Sequence, residues 1–247
     1  MKNISIVILL LLFGAGLYAN FGMERDVEQS DIISQTSTEE TEEGSSDTDE
    51  NTAEDETRET PADDTLIFSQ QPLQEAYDRT SESNEPLIID VLLPSYYTDG
   101  FMDTLSGQFD SETVEFNRID VDTNTINLSE LTVSQNSDAV IMDALQIRDY
   151  NDEILPQRSV DNLTNAYMNI YNNGKTVYIL GNPNAHQHEN LSSVLAEEQE
   201  TLTDNDYYYI DNQDVDIDGE YYDYDTGELT PEVETQIAQN IHGYMAE

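Results

Sequence analysis

The segment Asp214-Val215-Asp216-Ile217-Asp218-Gly219 sets three carboxylates at alternating positions ahead of a glycine, as in the first half of a calcium loop. Counting Asp214 as position 1, Glu220 falls at position 7, Tyr222 at 9 and Asp225 at 12, where a bidentate Glu is usual. Carboxylates spaced this way can converge on one hard cation, and the glycine permits the sharp turn. Asp is shorter than Glu at the closing position, however, and the flanks read as a strand and a Tyr-rich turn, not two helices. The same residues also read as a solvated acidic loop, since a chain this rich in Asp meets the spacing by chance. Ca2+ is the one cofactor suggested, and none is required. The other chemistry-bearing side chains are three histidines: His186 and His188 in a polar loop, and His242 in a helical pattern where it borders core or solvent.

Composition narrows the function. The 247 residues hold 53 acids against 8 Lys plus Arg, a formal charge of −45. Nucleic-acid binding through basic patches is excluded, because phosphate affinity rests on Lys and Arg. There is no cysteine, so disulfides, thiolate metal sites and cysteine nucleophiles are excluded too. From Glu24 to Asp64 the count is 17 acids and 2 bases; from Leu87 onward it is 32 and 4. The first stretch has too little apolar content to offset chain entropy and is expected to be disordered. The second has strong apolar clusters and is expected to fold despite its charge.

Three regions follow. Lys2 precedes an apolar run from Ile4 to Leu17 that continues to Gly22. About 19 helical residues at 1.5 Å each reach roughly 28 Å, close to the hydrocarbon thickness. Residues 1–22 therefore read as a signal-anchor and transmembrane helix. A cleaved signal peptide is the alternative, although cutting after Ala19 would put Leu17 where a small residue is usual. Residues 23–65 read as an acidic tether, and 66–247 as an α/β domain. The expected location is the cell membrane, single-pass, with the C-terminal domain extracytoplasmic; secretion is the alternative.

Positioning elements are visible as alternating strands and helices. After a short helix carrying Leu73, Ala76 and Tyr77, strands are expected at Leu87–Leu93, Thr113–Ile119, Ala139–Met142, Thr176–Leu180 and Tyr207–Ile210. Helices are expected at Phe101–Phe109, at Ser159–Asn173 closed by Gly174, around Leu191–Leu195, and after the cap Thr230-Pro231 with Val233, Ile237, Ile241 and Tyr244 on one face. This order predicts a three-layer α/β/α sandwich around a five-stranded parallel, flavodoxin-like sheet, with ligands beyond the carboxyl ends of the strands.

From Leu66 to Glu247 the chain resembles the SGNH/GDSL hydrolase superfamily, and most of all its membrane-anchored bacterial envelope type. The resembling pieces are LIIDVLLPS at Leu87–Ser95, SDAVIMDALQIRDYND at Ser137–Asp152, TVYILGNPN at Thr176–Asn184, YYYID at Tyr207–Asp211 and the closing LTPEVETQIAQNIHGYM. The resemblance implies Ser95 as nucleophile, although Ser95 also reads as a turn residue after Pro94. It further implies Arg148, Asp149 and Asn151 on the anion-stabilising rim, and Asn182, Asn184 and His186 near substrate. The motifs are degenerate. Leu93-Pro94 replaces the usual Gly-Asp, no glycine for a second oxyanion donor stands in Asp120–Leu131, and Gln236 occupies the position of the catalytic histidine. Glutamine cannot take the serine proton at neutral pH. Two functions follow from the resemblance. One is an ester-cleaving or acyl-transferring enzyme acting on an acylated substrate or envelope glycan. The other is an inactive binding or scaffolding protein with the same fold.

The excess of acid makes one expectation independent of function. Folding crowds negative charge that the unfolded chain spreads apart, and salt screens that repulsion, with a Debye length of about 3 Å at 1 M. The melting temperature should rise from low salt to about 1 M NaCl, equally for sodium and potassium. A melting temperature flat in salt would refute the self-repulsion argument.

Overall fold

This computed structural model describes residues 66–109, 112–185 and 187–246. The signal-anchor, the acidic tether and His186 lie outside the described residues. No described helix is long and apolar enough to cross a membrane.

The elements run α1 (Gln71–Glu82), β1 (Leu87–Pro94), α2 (Phe101–Phe109), β2 (Val114–Val121), a 3-10 turn (Thr125–Glu130), β3 (Ala139–Asp143), α3 (Gln146–Asn151), α4 (Pro156–Tyr171), β4 (Thr176–Leu180), α5 (Glu189–Asp204), β5 (Tyr209–Ile210), a hairpin of β6 (Tyr222–Asp223) and β7 (Glu228–Leu229), and α6 (Pro231–Met245). The sheet order is β2-β1-β3-β4-β5, with every neighbouring pair parallel. This is the expected five-stranded α/β sandwich.

Alternation along the strands divides the core in two, because successive side chains leave a strand on opposite faces. Leu87, Ile89, Val91 and Leu93 of β1, with Ala139, Ile141, Tyr178 and Leu180, pack with α1, α2 and α6. Leu92, Val140, Met142, Val177 and Ile179 pack on the other face with Val160, Leu163, Ala166, Tyr167 and Ile170 of α4. Helix α5 serves both faces, with Leu191 and Leu195 in the first cluster and Leu202 in the second. A sheet covered on both sides needs strands that are apolar throughout, and β3 and β4 are buried along their whole length. Buried polar groups within it are matched: Asp90, in the middle of β1, accepts from Ser134 N (2.6 Å) and Ser134 Oγ (3.0 Å).

Boundaries differ modestly from the sequence expectation. Helix α4 begins at Pro156, three residues early, since proline's fixed φ suits the first helical position. Gly174 has φ +82°, the left-handed conformation expected after that helix. The fifth strand is limited to Tyr209–Ile210, and β6–β7 is a hairpin that the sequence reading leaves as a turn. The last helix starts at Pro231 after Thr230, whose hydroxyl donates to Glu220 O (3.0 Å) instead of capping the helix. Its apolar face is buried as expected at Val233, Ile237 and Ile241.

Ile237 is fully buried in the first cluster. Ile237→Ala should therefore cost about 2–5 kcal/mol in urea unfolding, through lost burial and the cavity left behind. A negligible change would contradict this packing.

Candidate functional site

The carboxyl ends of β1, β3 and β4 meet at Asp143, which closes β3 and is buried. Its carboxylate takes four hydrogen bonds: from Tyr96 Oη (2.7 Å) and Tyr97 Oη (3.0 Å) in the turn after β1, from Asn182 Nδ2 (2.8 Å) after β4, and from the backbone N–H of Leu145 (2.7 Å). Asn182 Oδ1 accepts from Ile147 N (3.0 Å), and its own backbone N–H donates to Gln146 Oε1 (2.9 Å). Gln146 opens α3 because Leu145 before it adopts φ +56°, a left-handed conformation unusual for leucine, which turns the chain directly off β3. Gly181 leaves β4 beside Tyr209, where a Cβ would overlap the Tyr209 hydroxyl. A side chain there would displace the ring.

The turn after β1 is clamped from several sides. Tyr96 O accepts from Leu229 N of β7 (2.7 Å), and Arg118 of β2 donates to Thr98 O (2.8 Å) and Tyr97 O (3.2 Å). Glu234, in the first turn of α6, accepts from Thr98 N (2.6 Å) and Thr98 Oγ1 (2.7 Å). Ser95 lies between β1 and this clamp. It is exposed, and its hydroxyl has no hydrogen-bond partner among the described residues.

The expected rim residues make no hydrogen bond to Ser95 among the described residues. Arg148 points to Asp122 (3.4 Å), and Asn151 is exposed. Asp149 is buried and holds Thr125, accepting from its N–H (3.0 Å) and its hydroxyl (2.5 Å). Asn182 lies in the Asp143 network. Asn184 accepts from His188 N (3.0 Å) at the start of α5, and His188 Nδ1 lies 3.3 Å from Tyr150 Oη. His242 sits edge-on to Phe109 at the far end of α2 and α6. Gln236, in the expected base position, spends its amide on the acidic loop: Nε2 donates to Asp216 O (2.7 Å) and Oε1 accepts from Asp216 N (3.1 Å).

Asp214, Asp216, Asp218, Glu220 and Asp225 are all exposed. Among the described residues no three acidic or histidine side chains come together as a metal site requires. The calcium spacing is present in sequence, but the carboxylates do not converge. Asp225 lies in the β6–β7 turn, where its N–H donates to Asp223 Oδ1 (2.8 Å).

Among the buried carboxyls, Asp143 and Glu198, both absent from the sequence-derived site, are shifted most. Burial pushes Asp143 up to about 6, against the pull of its donors, Tyr96 first. Burial likewise raises the Tyr96 and Tyr97 hydroxyls well above the usual tyrosine range, with Asp143 adding to it, so both act as neutral donors. Glu198 of α5 is raised to about 7, mainly by burial, with Asp149 and Glu197 reinforcing and Gln146 and Ser159 opposing. A sequence signal for Asp143 exists: one carboxylate ending the otherwise apolar run Ala139–Met142. Tyr96-Tyr97 directly after the Pro94-Ser95 turn is a second. Glu198 has none, since Glu197, Glu198 and Glu200 look alike on the page.

No family model matches the chain, and no curated protein matches it in sequence. Solved structures do match in fold. A catalytic mutant of Axe2, an acetylxylan esterase from Geobacillus stearothermophilus, aligns with TM-score 0.51 at 7% identity, covering 65% of this chain and 94% of that one. TesA aligns with TM-score 0.50 at 11% identity over 64% of this chain and 97% of its own. A protein ascribed to the G-D-S-L lipolytic family from Desulfitobacterium hafniense gives TM-score 0.50 at 10% identity, covering 62% and 97%. The fold is that of the SGNH/GDSL hydrolases.

The raised carboxyls set a pH dependence. A carboxyl whose folded pKa exceeds its unfolded value contributes stability that is complete below the unfolded pKa and is lost as pH rises through the folded one. For Glu198 that window runs from the ordinary glutamate value of 4.5 to about 7. Glu198→Gln should flatten the fall in unfolding free energy across this window by roughly 3 kcal/mol, at 1.36 kcal/mol per pKa unit. Urea unfolding at pH 5, 6, 7 and 8 reads this directly. Parallel pH curves for the two proteins would show that Glu198 titrates alike in both states.

Proposed function

We propose that this chain is an SGNH-fold binding or scaffolding protein of the cell envelope, held at the membrane by its N-terminal segment, and not a serine esterase. Its ligand on this reading is an envelope glycan or acylated molecule met at the carboxyl ends of the strands. One observation carries the reading: Ser95 has no described hydrogen-bond partner, while the residue in the base position, Gln236, is committed at both amide ends to Asp216. Serine chemistry needs nucleophile, base and oxyanion donors together. Here the polar groups at the strand ends are matched to one another through Asp143 and Asn182, which suits a rigid surface better than a reacting centre.

The test uses the full chain in dodecyl maltoside with p-nitrophenyl acetate and butyrate. Wild type and Ser95→Ala should both hydrolyse these esters no faster than detergent buffer alone. Turnover by wild type that Ser95→Ala abolishes would overturn the proposal. His186→Ala would then show whether that imidazole supplies the base.

A further inference from the structure

Between α3 and α5 runs a cleft of about 510 Å³, which shares Gln146 with the Asp143 network but includes no residue of the Ser95 turn. Its buried lining is polar, with Gln146, Asp149 and Glu198, and its outer lining sets aliphatic Ile154, Leu155 and Val194 beside Tyr150, Asn151 and a second acid, Glu153. Glu198 is 1% exposed, and its Oε2 has no hydrogen-bond partner. Ser159 Oγ, also buried, lacks one as well at full hydrogen-bond geometry, although Ser159 and Gln146 both lie close enough to Glu198 to favour its charged form. A buried carboxyl oxygen without a donor at full hydrogen-bond geometry costs free energy that a matched one does not, so the Glu198 side chain, which lines the cleft, can take an incoming donor. Asp149 is already matched, because Thr125 donates to both of its oxygens.

We infer that this cleft binds a small organic ammonium ion, whose N–H groups donate to Glu198 and whose hydrocarbon part lies against Ile154, Leu155 and Val194. The lining includes no Lys or Arg, which excludes an anion. A bare metal ion is disfavoured by the aliphatic wall and by the lack of three convergent ligands among the described residues. An ammonium ion suits both halves of the cleft. Leu155, 72% exposed at its mouth, offers apolar surface that an alkyl chain would cover. The inference does not depend on whether Ser95 is reactive.

Proton balance makes the proposal specific. Glu198 faces Asp149 of α3, Glu197 of its own helix and the Tyr209 hydroxyl, and burial raises it to about 7. At pH 6 it is mostly the neutral acid. An ammonium ion favours the carboxylate, so binding expels the Glu198 proton to solvent and leaves a carboxylate–ammonium pair. At pH 8 the carboxylate is already formed and little proton is released.

The test is calorimetric titration of the full chain in dodecyl maltoside with n-butylammonium chloride, in 0.5 M NaCl to screen diffuse attraction, with 1-butanol as the uncharged control. Saturable 1:1 binding is expected, about tenfold tighter at pH 8 than at pH 6. Paired buffers of different ionisation enthalpy should show nearly one proton released at pH 6. Glu198→Gln should weaken binding at least tenfold. Val194→Phe, which fills the cleft and leaves the carboxyl intact, should do the same and keeps the test decisive if the first variant fails to fold. Absence of saturation, equal binding of 1-butanol, or affinity unchanged in either folded variant would overturn the inference.

Discussion

A carboxylate shut away from water must be given donors, and the need to supply Asp143 organises the whole carboxyl end of the sheet. Its four donors come from the turn after β1, the start of α3 and the segment after β4. Three crossover connections are thereby tied to one point. The left-handed Leu145 serves the same need, because turning the chain off β3 at once brings the Leu145 N–H back onto the carboxylate two residues earlier. Moving any one connection would leave a buried oxygen short of a donor, at roughly 1–3 kcal/mol per group. The surface at the carboxyl ends of the strands is thus held by mutual hydrogen bonding.

The layered architecture was legible in the sequence because it depends on periodicity. Apolar runs of strand length, bounded by proline, glycine and polar turns, mark β1, β3 and β4 closely, and Thr230-Pro231 marks the start of α6. Short edge elements were less legible. β5 is two residues long and the β6–β7 hairpin is polar, so neither has a core pattern to betray it. The site was harder still. Arg148 and Asp149 follow the third strand in sequence, yet α3 directs them toward Asp122 and Thr125, a consequence of helix phase that spacing along a loop does not convey. Asp143 and Glu198 matter through burial, which one-dimensional charge counts do not distinguish from the acids on the surface.

That surface charge and the buried acids act in opposite ways. Exposed carboxylates such as those of Asp214–Glu220 repel one another through water and respond to salt. Asp143 and Glu198 are governed by desolvation, which salt scarcely reaches. Ionic strength and acidity are therefore separate controls on this fold, one acting outside the sheet and its helices and the other within.

Phe68 pairs with Ala246, and Ser69 N donates to Met245 O at 2.8 Å, so the two ends of the described domain are stitched side by side. Helix α6, which leads to that stitch, also covers α2 and the face of β1 formed early in the chain. A polypeptide leaving a ribosome or a translocation channel from its N-terminus must therefore present β1 and α2 with an uncovered apolar face until α6 emerges. Native closure waits on contacts of the largest sequence separation the domain contains, the kind whose loop-closure entropy slows folding most. The interval before α6 arrives is when this chain has greatest need of a chaperone, and its dense negative charge is what keeps neighbouring copies apart meanwhile.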